Sequence, residues 1–232
     1  MRSSLRGPRQ FKIRLIYAAF VILTVAVIAP LATRAQVLNP KISGKQTTIR
    51  NVVILPGKVD IVRAGMKGPE GMAAESEELS TRVEKTVAEV LANQKQIMTR
   101  NGPEGGSDAR FTVADVQAKF DALLPKIMKK RNDVKQGRFT MGDEVLNLNL
   151  DKGADAIVFI RGQGQALTSG KKAFNILVGG APAYLSLQIA VVDARTGEVL
   201  LYTDAVLSGD PTANNDHLRK ALEKGFKKLP RV

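Results

Sequence analysis

The chain has 232 residues, with 35 lysines and arginines against 22 aspartates and glutamates, one histidine, and no cysteine or tryptophan. Without cysteine there is no disulfide framework, no thiolate zinc site and no lipid-bearing cysteine, and the lone His217 rules out a histidine-rich metal site, so no cofactor is implied. Six of the positive charges (Arg2, Arg6, Arg9, Lys12, Arg14 and Arg34) lie in residues 1–35 with no acidic residue among them, and removing that stretch lowers the formal charge from +13 to +7.

Leu15 to Thr33 is an uncharged, mostly apolar run of 19 residues, and two readings of it stand side by side. Pro30 and the small-residue exit Thr33-Arg34-Ala35 fit a secretory signal cleaved before Gln36. The length, close to the roughly 20 residues that span hydrocarbon, fits a retained N-terminal hydrophobic helix, and then the membrane itself is a partner. In either case the five basic residues ahead of the run hold the amino terminus in the cytoplasm and send the remainder across the inner membrane, to the periplasm or to a membrane-anchored position outside the cytoplasm. The expected organisation is residues 1–35 as signal peptide or membrane anchor, 36–47 as a linker, and 48–232 as a single α/β domain.

Thr48 to Leu55 reads as the first strand, its Val52-Val53-Ile54-Leu55 run suited to a buried position and ended by Pro56-Gly57. Val59 to Val62 can resume it, and Arg63 to Met72, rich in glycine, reads as a loop. From Glu75 to Met98 the positions Leu79, Val83, Val87, Val90, Leu91 and Ile97 recur at helical spacing, with Glu75, Glu77 and Glu78 at the positive end of the helix dipole. After a flexible Gly102–Asp108 loop, Thr112 to Asp115 resembles a capping box. It opens a helix with Val113, Val116, Phe120, Leu123, Leu124 and Ile127 on one face, which Pro125 should kink or end. A shorter helix is predicted from near Thr140 to Gly153.

The centre of the domain is Gly153 to Leu207: a strand, a Gly/Lys-rich spacer, and a strand pair. Leu185, Leu187, Ile189 and Val191 alternate with Ser186, Gln188 and Ala190, a period of two that buries one face. Asp193 to Gly197 is the turn, with Asp193 accepting local backbone hydrogen bonds and Gly197 supplying positive φ. Asp210-Pro211 and Asn214-Asn215-Asp216 then lead into an amphipathic last helix. Leu218, Leu222, Phe226 and Leu229 lie on one side, and Arg219, Lys220, Lys224, Lys227 and Lys228 on the other. The order predicts a two-layer α/β sandwich, a mixed, partly antiparallel sheet with helices packed on one face or both.

Three motifs carry a family resemblance: Val52, Leu55 and Pro56; Gly153, Ala154, Asp155 and Ile157; and Asp193, Thr196, Gly197, Glu198 and Val199. Across residues 48 to 230 they make the chain resemble the curli-secretion (CsgG-like) lipoproteins, the lipoprotein activators of penicillin-binding proteins, and the amino-terminal domain of the TolB translocation protein. The chain departs from these in lacking the lipoprotein cysteine and long amphipathic hairpins suited to a secretion pore. The resemblance implies a non-catalytic envelope module that binds another envelope component.

Other signals weigh less. Gly162-Gln163-Gly164 with Gly170-Lys171-Lys172 misses the phosphate-loop spacing, since Gln165 stands where glycine and Lys172 where serine or threonine is needed. Asp155, Asp193, Asp204 and Asp210 lie near strand ends and offer the alternative of a hydrolase or transferase using carboxylates, although turn and cap roles account for Asp193 and Asp210. The basic residues from Lys126 to Arg138 lack interleaved aromatics, which argues against nucleic acid. The sequence therefore predicts an exported, non-enzymatic binding or assembly module. Its partner is an envelope protein or an anionic envelope surface, the latter met by Arg219, Lys220, Lys224, Lys227 and Lys228.

Overall fold

Strands in the first half of the chain are scattered, and those at Val37–Leu38, Asn51–Ile54 and Lys58–Gly65 find their places by pairing with strands made much later. The computed structural model describes residues 36–102, 107–148, 150, 153–213 and 215–232, so the expectations for residues 1–35, and for Asn214 as a cap, lie outside the described residues. The elements begin with β1 (Val37–Leu38), α1 (Pro40–Ser43), β2 (Asn51–Ile54), β3 (Lys58–Gly65), β4 (Gly68–Gly71), α2 (Ala73–Lys95), β5 (Met98–Asn101), α3 (Ser107–Lys129) and α4 (Arg131–Lys135). A 3-10 turn at Asp143–Leu148 is followed by β6 (Ala156–Leu167), α5 (Ser169–Val178), β7 (Tyr184–Asp193), β8 (Val199–Ser208) and α6 (Asn215–Gly225).

The strands form one eight-stranded mixed sheet in the order β1-β8-β7-β6-β2-β5. β6, β7 and β8 are antiparallel, and β2 runs parallel to β6 at Ala156 to Val158. Past the Pro56-Gly57 bend, β3 continues parallel to β6 from Arg161 to Leu167, so β2 and β3 are two stretches of one edge along a single long strand. β4 closes back on β3.

Helix α2 completes that edge chemically. Ser76 Oγ, Ser80 Oγ and Glu84 Oε1 accept from the backbone N–H groups of Ile61, Val59 and Gly57, at 2.9, 3.0 and 2.7 Å. The match is geometric: four residues of helix rise about 6 Å and two residues of strand about 6.6 Å, so acceptors at every fourth helical position meet every second strand N–H. Each strand donor would otherwise lose its partner at the sheet's edge. Burial pushes the Glu84 carboxyl above its usual range, partly offset by the hydrogen bond from Gly57.

Both faces of the sheet are covered in part, the both-face arrangement of the expectation, so the layers number three and not two. On one face, Val52, Ile54, Val59, Ile61, Val158, Ile160, Leu187, Ile189 and Val191 meet Leu79, Val83, Val87 and Val90 of α2, Leu218 and Leu222 of α6, and Phe226 just past its end. On the other, Val53, Ile157, Phe159, Ala190, Val192 and Tyr202 pack under Val116, Phe120 and Ile127 of α3 and Val134 of α4. Phe120 and Phe159 stack at 4.8 Å between centroids. The physical reason is in β2 and the first half of β6, which are apolar at consecutive positions and need cover on both sides.

Further differences follow from pairing that carries no local pattern. Residues 36–47 were expected to be a linker. Instead Val37 and Leu38 pair with Tyr202 and Leu201, and Asn39 is fully buried. Asn39 Nδ2 donates to Glu198 Oε1 at 2.8 Å and to the Val199 carbonyl at 3.1 Å. Lys41 adds an ion pair with Glu198, whose hydrogen bond holds its ammonium above the usual value. The expected loop at 63–72 contains the β3–β4 pair, and the long helix stops at Lys95 because β5 begins at Met98. α3 runs through Pro125, and the Gly/Lys-rich spacer is helix α5.

Candidate functional site: an open polar sheet face

Cover by α3 and α4 ends halfway along β6, β7 and β8. Up to that line the residues facing these helices are Ile157 and Phe159 on β6, Ala190 and Val192 on β7, and Tyr202 on β8. Beyond it the same alternation brings up three rows across four strands. The first is Lys58, Arg161, Gln188, Asp204; the second Asp60, Gln163, Ser186, Val206; the third Val62, Gln165, Tyr184, Ser208. At about 4.8 Å between strands and 3.3 Å per residue, the Cα atoms of the rows span roughly 14 by 13 Å.

Two arginine–carboxylate pairs mark the line between dry core and open face. Arg161, nearly buried, ion-pairs through Nε with Asp121 of α3, donates Nη1 to the Ile160 carbonyl at 2.9 Å, and lies 6.0 Å from the Phe120 centroid. Arg131 of α4 ion-pairs with Asp204 and sits 5.6 Å over the Tyr202 ring. Guanidinium planes suit this position because they stack on the last aromatic of the core while their edges stay polar. Asp204 Oδ1 is buried with no hydrogen-bond partner among the described residues. Past the arginines the face is hydrogen-bonding, its one charge being Asp60 at the β3 edge, 3.9 Å from Lys58: Gln188 donates to Ser186 Oγ at 3.0 Å, while Gln163 and Val206 are exposed.

The sequence-predicted residues fall elsewhere. Asp193 Oδ1 accepts from the backbone of Arg195 and Thr196, both at 2.9 Å, and Gly197 has φ 68° with a backbone so close to the Gly142 carbonyl that a Cβ would collide with it. Asp155 Oδ2 accepts from Arg50 and Asn51 N–H at 2.9 and 3.0 Å, and Asp210 from Thr212. The four aspartates do not converge. Asp155 and Asp193 lie at one end of β6 and β7 with their oxygens on backbone donors, Asp204 faces Arg131, and Asp210 lies past the opposite end of β8.

The last helix and the turns that follow it lay Leu218, Leu222, Phe226 and Leu229 in the core against the sheet and leave the basic side outward. On that side Arg219 ion-pairs with Glu89 of α2. Lys227 and Lys228 follow the helix end, where Lys228 is held by Gln36, its N–H donating to Gln36 Oε1 at 3.0 Å. Lys220 and Lys224 are exposed. A cleft of about 190 Å³ between α2, α6 and the end of β8 is lined by Arg82, His217, Leu185 and Pro211, below the usual size of a small-molecule site. Sequence reasoning missed the open face because its signal, Arg161, Gln163, Gln165 and Ser186, Gln188, reads as the solvent side of any two-sided strand.

No protein-family model and no curated protein matches the chain. Among solved structures it is similar to the PelC dodecamer of Paraburkholderia phytofirmans, at 10% identity over 85% of this chain and 96% of that one, with a TM-score of 0.43. It is also similar to lipoprotein GNA1162 of Neisseria meningitidis, at 13% identity over 74% and 89%, TM-score 0.32. A third is the C-terminal domain of LpoB from Salmonella enterica, at 11% identity over 75% and 96%, TM-score 0.27. The curli-secretion and TolB likenesses rest on sequence motifs alone.

Proposed function

We propose that the chain is an exported, non-catalytic binding or assembly module of the cell envelope, and that its open sheet face docks an envelope protein. The observation that carries this reading is the abrupt change along β6, β7 and β8 from a face sealed by Phe120, Phe159 and Tyr202 to one of exposed or half-buried amides, hydroxyls and isolated apolar groups. Gln163, Gln165, Ser186, Tyr184 and Gln188 present donors and acceptors without net charge, which suits the polar surface of a protein better than an anionic lipid or polymer. The face alone is smaller than the roughly 800 Å² per partner of a standard interface, so the partner extends onto the β3–β4 pair or the outer side of α3. Export is supported by the basic start and apolar run of residues 1–35. The exposed basic side of α6 supports a weaker contact with an anionic surface through Arg219, Lys220, Lys224, Lys227 and Lys228.

A photo-crosslinking side chain at Gln163 in the full chain, expressed in cells, tests the reading. The expected result is an adduct of one defined mass in the envelope fraction, lost when Ser186→Arg is added and absent from a probe at exposed Glu77 on α2. Equal adducts at both positions, or none at Gln163 in a protein shown to be folded and exported, would overturn it.

A further inference from the structure

Helix α5 is built inside out. Its one buried residue is the polar Asn175, which turns inward and donates Nδ2 to the Ala181 carbonyl at 2.7 Å. Phe174, Ile176, Leu177 and Val178 are exposed, Ile176 by 75% and Leu177 by 85%. This is not a frayed end. Thr168 caps the helix at the Lys171 N–H, Gly179 ends it in the left-handed conformation with φ 70°, and Gly180 lies so close to Asn175 that a side chain there would collide with it. The apolar residues are held out by a folded support.

The neighbouring β3–β4 turn adds to the same end of the sheet. The Thr168 N–H donates to the Ala64 carbonyl at 3.2 Å, which places the turn Gly65 to Gly68 beside the start of α5. That turn exposes Met66 at 65% and carries Lys67. Lys171, its ammonium 5.4 Å over the Phe174 ring, and exposed Lys172 stand in the first turn of α5, which has no acidic residue.

We propose that this end of the molecule is a lipid-contact device. Phe174, Ile176, Leu177, Val178 and Met66 enter the interfacial layer of an anionic bilayer, and Lys67, Lys171 and Lys172 meet its headgroup phosphates. Amphipathic elements of this kind bury their apolar side by about 5–10 Å while basic residues draw on the surface charge. A second copy of the chain fits less well, because neither α5 nor the Gly65 to Gly68 turn carries an acidic residue to meet Lys67, Lys171 and Lys172 of the other copy. On the retained-anchor reading, the uncharged run Leu15 to Thr33 gives the chain a second reason to be at a membrane. The inference does not depend on the protein partner at Gln163.

The chain has no tryptophan, so Leu177→Trp in the full-length protein is a clean reporter, with Met98→Trp on exposed β5 as the control. Both are mixed with vesicles of phosphatidylcholine alone or with phosphatidylglycerol, and with brominated acyl chains. The expected result is a blue shift and bromine quenching for Leu177→Trp on phosphatidylglycerol vesicles, not for Met98→Trp, and loss of the signal when Lys171→Glu and Lys172→Glu are added. Membrane attachment through residues 15–33 alone leaves the Leu177→Trp emission unshifted on vesicles that the protein sediments with, and that result overturns the proposal. So does an equal shift on both lipid compositions, or a shift without lipid that grows with protein concentration, which would assign the surface to a second copy.

Discussion

Helices α5 and α6 are both amphipathic and both follow a strand of the central trio, yet they face opposite ways. α6 turns Leu218 and Leu222 onto the sheet, followed by Phe226 just past its end, and Gly225 comes within 3.3 Å of Thr203 measured from where its Cβ would be, a close approach a larger residue would hinder. α5 begins past the last paired residue of β6 and leans on its own return loop through Asn175, with its apolar residues outward. An amphipathic pattern establishes that a helix has two unlike sides. Which side turns inward depends on whether a sheet lies beneath it.

That contrast can be broken most forcefully at Phe226. Phe226→Ala should lower stability by about 3–5 kcal/mol, since a fully buried ring leaves a cavity between α6 and the sheet, and urea unfolding measures it. A loss below 1 kcal/mol would mean that α6 does not carry the core. The next largest effect belongs to the boundary of the open face. Arg161→Ala removes the cover over Phe120 and leaves Asp121 without its partner, and about 1–3 kcal/mol should be lost in the same assay.

Glu84→Gln sharpens the account of α2 through pH. Because burial raises the Glu84 pKa in the folded chain, its contribution is fullest below the ordinary glutamate value of about 4.3 and falls as pH rises through the folded value. Glutamine keeps an acceptor for Gly57 without titrating. The variant should therefore lose that fall, and its thermal midpoint relative to the parent should climb as pH is raised from about 4 toward neutrality. An unchanged difference across the range would remove Glu84 from the account. The smallest effect is expected at α5, where Leu177→Ser should change stability by no more than about 0.5 kcal/mol and raise solubility instead.

Legibility in the sequence followed local pattern. The β7–β8 hairpin is written in the alternation from Leu185 to Val191 and the Asp193 to Gly197 turn, and α2 in its recurring apolar positions, because each element displays its buried side within a few residues. β4 (GPEG) and β5 (MTRN) have no such pattern and exist because β3 and β2 offer them an edge. α5 was missed for a different reason: its side toward the protein is polar, so no stripe announced a core. The open face was visible as alternation in Arg161, Gln163 and Gln165, but that helices cover one half of those strands and not the other is a tertiary fact with no local trace.

The early residues that finish the sheet impose an order in time. Asn39 bonds to Glu198, 159 positions later, and Val37 and Leu38 pair only with β8. At a synthesis rate of about 5–20 residues per second, these residues wait roughly 8–30 s before their partners exist. Throughout that interval their backbone groups are unsatisfied by the fold, and Ile42, buried at the end, is exposed to whatever surrounds the growing chain. The amino-terminal strand thus cannot be secured until β8 exists, and a lesion at Leu201 or Tyr202 should release it first.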